Sequence, residues 1–156
     1  MKEETCCFTG HRLLPQDRLP GIAQRLSRQV DEMIARGVTI FVSGGALGFD
    51  QLAAVTVLNK RDLNGGIRLI IAQPCRTQSA RWTEKQKKLY DSILARADEV
   101  ICLSDEYFTG CMQLRNRWMV DHSGYLIACM ARLQGGTAQT VNYALKKGLD
   151  ITNVWE

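Results

Sequence analysis

The sequence predicts an α/β fold: one domain over residues 1–156, built on a mostly parallel sheet of five to six strands with helices on both faces. Three observations point there. Short apolar runs alternate with helix-period segments along the whole chain. Runs such as Val38-Thr39-Ile40-Phe41-Val42 and Ile67-Arg68-Leu69-Ile70-Ile71-Ala72 are nearly continuous, as strands covered on both faces must be. Glycine or proline marks most of the breaks between them.

The elements follow in order. Thr5-Cys6-Cys7-Phe8-Thr9 is the first strand, stopped by Gly10. Pro15 and Pro20 punctuate a loop. Ile22, Leu26, Val30, Met33 and Ile34 recur at helical spacing, and Gly37 closes that helix. The second strand, 38–42, ends in the turn Ser43-Gly44-Gly45-Ala46-Leu47-Gly48, and a helix runs on to about 59. Asn64-Gly65-Gly66 breaks the chain before the third strand, which Pro74 ends. A charged helix covers 83–95, a fourth strand 99–103 and a further helix 112–120. Tyr125-Leu126-Ile127-Ala128-Cys129 is the fifth strand. Gly135-Gly136-Thr137 opens the last helix, Gly148 caps it, and 151–154 has the makings of a short final strand.

Hydrophobic residues at 46% and charged residues at 23% exclude long disorder, and a chain of 156 residues buries a full core without staples. No apolar run approaches the roughly 20 residues of a membrane span, and Met1-Lys2-Glu3-Glu4-Thr5 has no signal-peptide character. The six cysteines form no C-x-x-C pair, and His11 and His122 stand outside metal-ligand spacing. A reducing, cytoplasmic protein without metal or disulfide framework is expected. The net charge of +4 permits an anionic ligand without demanding nucleic acid.

In an open parallel sheet, ligands bind beyond the carboxyl ends of the strands. Four segments fall there: Thr9-Gly10-His11-Arg12, Ser43 to Asp50, Pro74-Cys75-Arg76 with Trp82 beyond it, and Gly135-Gly136-Thr137. Glycines admit a phosphate close to the backbone, and helix starts offer free N–H groups and a positive dipole end. The G-G-x-x-G run at Gly44, Gly45 and Gly48 lacks both the dinucleotide fingerprint and the P-loop lysine. Taken alone, it reads equally well as a tight turn. The second Gly-Gly, at a helix start, raises the phosphate reading. Arg12 can pair with phosphate bidentately, and Asp50 offers an acceptor to a ribose hydroxyl or base. His11 reads as a positional hydrogen-bonding group. Trp82 reads equally as a loop anchor or a cover for a base. Arg115 and Asn116 reach the same edge from the start of their helix, whereas Asp121 reads as a surface residue near its end.

As an ordered set, these segments resemble the SLOG superfamily, the Rossmann-like group that includes DNA-processing protein DprA and the LOG cytokinin-activating enzymes. The likeness is nearest to its YpsA-like bacterial branch and runs through nearly the whole chain. The marks are Thr9-Gly10-His11-Arg12, Ser43 to Asp50, Pro74-Cys75 with Gln78 and Trp82, Arg115-Asn116 with Met119-Val120-Asp121, and Gly135-Gly136-Thr137. The resemblance implies a Rossmann-like sheet, a pocket for a nucleotide or nucleotide-derived ligand, and self-association into a homo-oligomer. LOG-type enzymes cleave the N-glycosidic bond of nucleotide 5′-monophosphates with an arginine and a glutamate. Arg115 stands where that arginine is expected, but Gly136-Thr137-Ala138-Gln139-Thr140 holds no carboxylate.

Three functions are therefore expected in order: a nucleotide-binding sensor or regulator, a nucleotide N-glycosidase acting through Arg115, and a DprA-like single-stranded DNA-binding module. The last needs a basic, aromatic-lined groove, for which +4 and 7% aromatic residues give little material.

Overall fold

Six parallel strands in the order β4-β3-β2-β1-β5-β6 form one sheet in the computed structural model, which describes residues 1–156. They are β1 (Thr5–Gly10), β2 (Ile40–Ser43), β3 (Arg68–Gln73), β4 (Glu99–Cys102), β5 (Tyr125–Cys129) and β6 (Asp150–Asn153). The helices are α1 (Leu19–Ala35), α2 (Phe49–Asn64), α3 (Glu84–Arg96), α4 (Cys111–Asp121) and α5 (Gly136–Lys146). The expected α/β architecture is present, with all six strands parallel and the sheet covered on both faces.

Side-chain alternation sorts the strands between two cores. Cys6, Phe8, Phe41, Leu69, Ile71 and Ile127 meet the apolar stripe of α1 (Ile22, Leu26, Val30, Met33), the start of α2, and Ile93 of α3. Cys7, Val42, Ile70, Ala72, Leu126 and Ala128 face Met119 and Val120 of α4 and Val141 and Ala144 of α5. Six alternating positions thus hold three helices on one face and two on the other.

Element ends differ from the sequence reading for local reasons. Val38 is buried, but its N–H is spent on the Met33 carbonyl at 3.0 Å, closing α1 through Gly37 at φ +99°. The second strand therefore begins at Ile40. α2 runs to Asn64, stopped only by Gly65 at φ +67°. α1 begins earlier than the apolar period suggests, because Pro20 serves the first turn.

The strand order places the cleft. The chain lays β2, β3 and β4 out to one side of β1, then returns to place β5 and β6 on the other. The loops after β1 and β5 therefore part in opposite directions, and a crevice opens at their carboxyl ends.

Candidate functional site

A cleft of about 520 Å³ occupies that switch point. Thr9, Gly10, His11 and Arg12 line it from the end of β1. Asp50 enters from the first turn of α2, and Arg115 and Asn116 from α4. Gly135, Gly136 and Thr137 close it at the start of α5.

Two glycines let the β1 loop sit against α2. A Cβ on Gly10 would stand 2.5 Å from the Phe49 ring, and a Cβ on Gly48 would collide with the Arg12 carbonyl. Gly48 also has φ +84°, which L side chains rarely adopt. The Phe49 N–H then donates to the His11 carbonyl at 3.1 Å and fixes the two loops together.

The Ser43-Gly44-Gly45 turn faces inward, not into the cleft. Ser43 Oγ donates to the Asp50 carbonyl at 2.8 Å and accepts the Gly45 N–H at 3.2 Å. The Gly44 carbonyl accepts from Arg115 Nη1 at 2.8 Å and Gln78 Nε2 at 3.2 Å. The Gly45 carbonyl accepts from Gln51 Nε2 at 3.2 Å. Ser43, Gly44, Gly45 and Gly48 do not line the cleft, and the Gly45 N–H has a partner before any phosphate arrives.

Pro74 and Trp82 lie on that inner side too. Pro74 is buried at the end of β3, and half-buried Trp82 packs edge-to-face on Tyr90 with ring centroids 5.1 Å apart. The Tyr90 hydroxyl accepts from Gln73 Nε2 at 2.8 Å and Gln78 Nε2 at 2.9 Å. A Cβ on Gly45 would press on that ring. Trp82 thus anchors the loop before α3, which a Thr83–Gln86 capping box starts.

Arg115 is 3% exposed and bonds the Gly44 and Ala72 carbonyls and Gln78 Oε1, while its Nε donates to Asn116 Oδ1 at 3.0 Å. Asp50 is 6% exposed. Burial raises its pKa from 3.8 to about 6, against the pull of Arg115, the Ala46 amide and Arg12. Arg12 and Arg132, both exposed on the cleft wall, join no ion pair. Three guanidinium groups therefore share the cleft with one carboxylate.

His11 is 9% exposed. Its Nε2 accepts the Ala131 N–H at 2.9 Å, and its ring stands edge-on to Trp155 with centroids 6.2 Å apart. Burial, then Arg132, lowers its pKa. No cluster of three or more His, Cys, Asp or Glu side chains gathers with metal-ligating geometry. Asp121 lies outside the cleft, where it accepts the Tyr143 hydroxyl at 2.8 Å and pairs with Lys147 at 3.7 Å.

Sequence reasoning missed Arg132, Trp155 and Met112, which also line the cleft. Arg132 follows β5 as Arg12 follows β1, and the same strand-end rule would have found it. Trp155 follows β6, whose carboxyl end opens on the same edge.

A profile of the YspA SLOG family matches residues 9–153, from the end of β1 to the end of β6. The chain belongs to that family. Among its relatives is the uncharacterized SPbeta prophage-derived protein YoqJ of Bacillus subtilis, 32% identical over 138 residues, covering 80% of this chain and 81% of YoqJ. UPF0398 protein BH1768 of Halalkalibacterium halodurans is 31% identical over 108 residues, covering 68% of this chain but 57% of its own length. Two solved structures share the SLOG chain's fold. DNA processing protein A of Helicobacter pylori, whose structure concerns its single-stranded DNA binding mode, matches with a TM-score of 0.69 at 21% identity. The match covers 96% of this chain and 64% of that one. DprA of Streptococcus pneumoniae matches with a TM-score of 0.67 at 18% identity, covering 94% of this chain and 48% of that one. No helix of the SLOG chain is long and apolar enough to cross a membrane.

Proposed function

We propose that the cleft binds a nucleotide or nucleotide-derived anion and that the protein works as a sensor or regulator of that ligand. The carrying observation is the charge of the cleft: Arg12, Arg115 and Arg132 face a single carboxylate whose pKa burial has raised to about 6. An anionic ligand suits such a wall. The exposed glycines at 135 and 136 leave the start of α5 open to a phosphate, and Asp50 supplies the one carboxylate acceptor for a sugar hydroxyl or a base. The same reading makes this a cytoplasmic bacterial homo-oligomer, whose free thiols suit a reducing compartment. Light scattering reads the oligomeric state.

Calorimetry with AMP, ADP, cyclic AMP, NAD and ADP-ribose tests the assignment. At least one binds, and Arg12→Glu weakens it by about tenfold or more. An absence of heat across the panel overturns the reading. Two other activities are separable in the same experiment. Release of free base from AMP, lost in Arg115→Ala, would make the protein an N-glycosidase. A gel shift of single-stranded DNA that weakens as salt rises would instead make the ligand a nucleic acid, the class that DNA processing protein A of Helicobacter pylori binds.

A further inference from the structure

The side chain of His11 has a fixed proton and no acceptor within the protein for it. Its Nε2 accepts the Ala131 backbone N–H at 2.9 Å, and a backbone amide can only donate. A neutral ring accepting at Nε2 must carry its proton on Nδ1. Burial and Arg132 both disfavour the doubly protonated ring. The one group beside Nδ1 is Arg132 Nη2 at 3.4 Å, which is also a donor. Two donors therefore face each other at the cleft wall, and one of them belongs to a side chain that is 9% exposed. Neither nitrogen can accept the other's hydrogen, so both N–H groups are free to donate to one ligand oxygen in the cleft.

One acceptor oxygen satisfies both. An oxygen about 2.8 Å from each nitrogen, the usual length of a charge-assisted bond, fits a pair separated by 3.4 Å. We propose that His11 Nδ1–H and Arg132 form the seat of a terminal phosphate monoester and make the cleft select such ligands over phosphodiesters. A terminal group is close to dianionic at pH 7 and presents three free oxygens. It can engage His11 and Arg132 through one oxygen and still offer others to Arg12, which has no ion-pair partner on the same wall. A diester carries one charge and two free oxygens. Ala131 and Arg132 are consecutive, so the bond that fixes the His11 tautomer also places the arginine beside it.

The proposal rests on the reading of the cleft as a nucleotide site, and the test separates the two. Nitrogen-15 spectra of the labelled protein report the His11 tautomer directly. The expected state is Nδ1–H, with inorganic phosphate and AMP each shifting that resonance. Calorimetry should show AMP binding about tenfold tighter than cyclic AMP or NAD, and Arg132→Gln and His11→Asn should remove that preference. Arg132 is exposed, so its variant keeps the test alive if the buried His11 variant unfolds. An Nε2–H tautomer overturns the seat whatever binds. Nucleotide binding that is equal in parent and Arg132→Gln also overturns the seat while leaving the cleft a nucleotide site. Phosphate shifting His11 while no nucleotide binds keeps the seat and removes the nucleotide reading.

Discussion

Asp50 and Arg115 both close on the α-carbon of Gly44, where an added Cβ would stand 2.9 Å from Asp50 Oδ2 and 2.6 Å from Arg115 Cζ. The glycine is there because a buried cation and a buried acid must both approach the backbone at one point. The guanidinium spends its hydrogens on main-chain carbonyls, and the carboxyl stands in reach of its charge.

Arg115 should therefore matter to stability before it matters to binding. Arg115→Ala leaves the Ala72 carbonyl and Gln78 Oε1 without this donor and removes the charge nearest Asp50. A loss of about 1–3 kcal/mol for each buried acceptor left without a donor is expected in urea unfolding. Arg115→Lys should fall between, since an ammonium keeps one donor centre but lacks the Nε–H that Arg115 gives to Asn116. A change under about 1 kcal/mol would contradict the structural role.

The raised pKa of Asp50 makes stability depend on pH. The folded chain holds this proton more tightly than the unfolded chain, whose pKa is 3.8 against about 6. The stabilisation is full below pH 3.8 and is lost as pH rises to about 6. A shift of about two units corresponds to roughly 3 kcal/mol. Asp50→Asn keeps the shape without the titration. The stability of the parent relative to this variant should fall by that amount between pH 3 and 7, measured by urea melts. A difference that does not vary with pH would show Asp50 to be solvated.

Gly48 and Gly136 should respond differently to alanine. Gly48→Ala combines φ +84° with a collision against the Arg12 backbone, and about 2–4 kcal/mol should be lost in thermal unfolding. Gly136 has nothing within 4 Å of an added Cβ and begins a helix. Gly136→Ala should leave the Tm unchanged or raise it slightly.

Tyr90→Phe isolates the inner network. It leaves Gln73 Nε2 without its acceptor and Gln78 Nε2 with only the longer bond to the Gly44 carbonyl. About 1–3 kcal/mol should be lost, read by chemical denaturation. Ligand affinity should not change, since Tyr90 does not line the cleft. A drop in affinity with unchanged stability would reverse that assignment.

The layers of the fold were legible because each strand and helix carries its own period. Cys6 and Cys7 lie next to each other in sequence yet belong to opposite cores, as alternation requires. The β1 loop and the start of α5 were found because the strand-end rule needs no knowledge of strand order. The inward turn of Gly44 and Gly45 was not legible. It depends on Arg115, which is 71 residues from Gly44, and on Gln78, 34 residues away. A glycine-rich turn reads the same whether its amides point at a ligand or are held by side chains from elsewhere. Trp82 could not be assigned because its partner, Tyr90, was silent in the pattern.

The bond from Phe49 N–H to the His11 carbonyl ties the floor of the cleft to the first residue of α2. Sixteen helical residues make α2 a rod roughly 24 Å long. Near its far end, Arg61 pairs with Asp98 and Asp62 with Arg96, gripping the end of α3 and the turn into β4. One helix thus touches the β1 side of the cleft at its first residue and the sheet edge at β4 near its last turn.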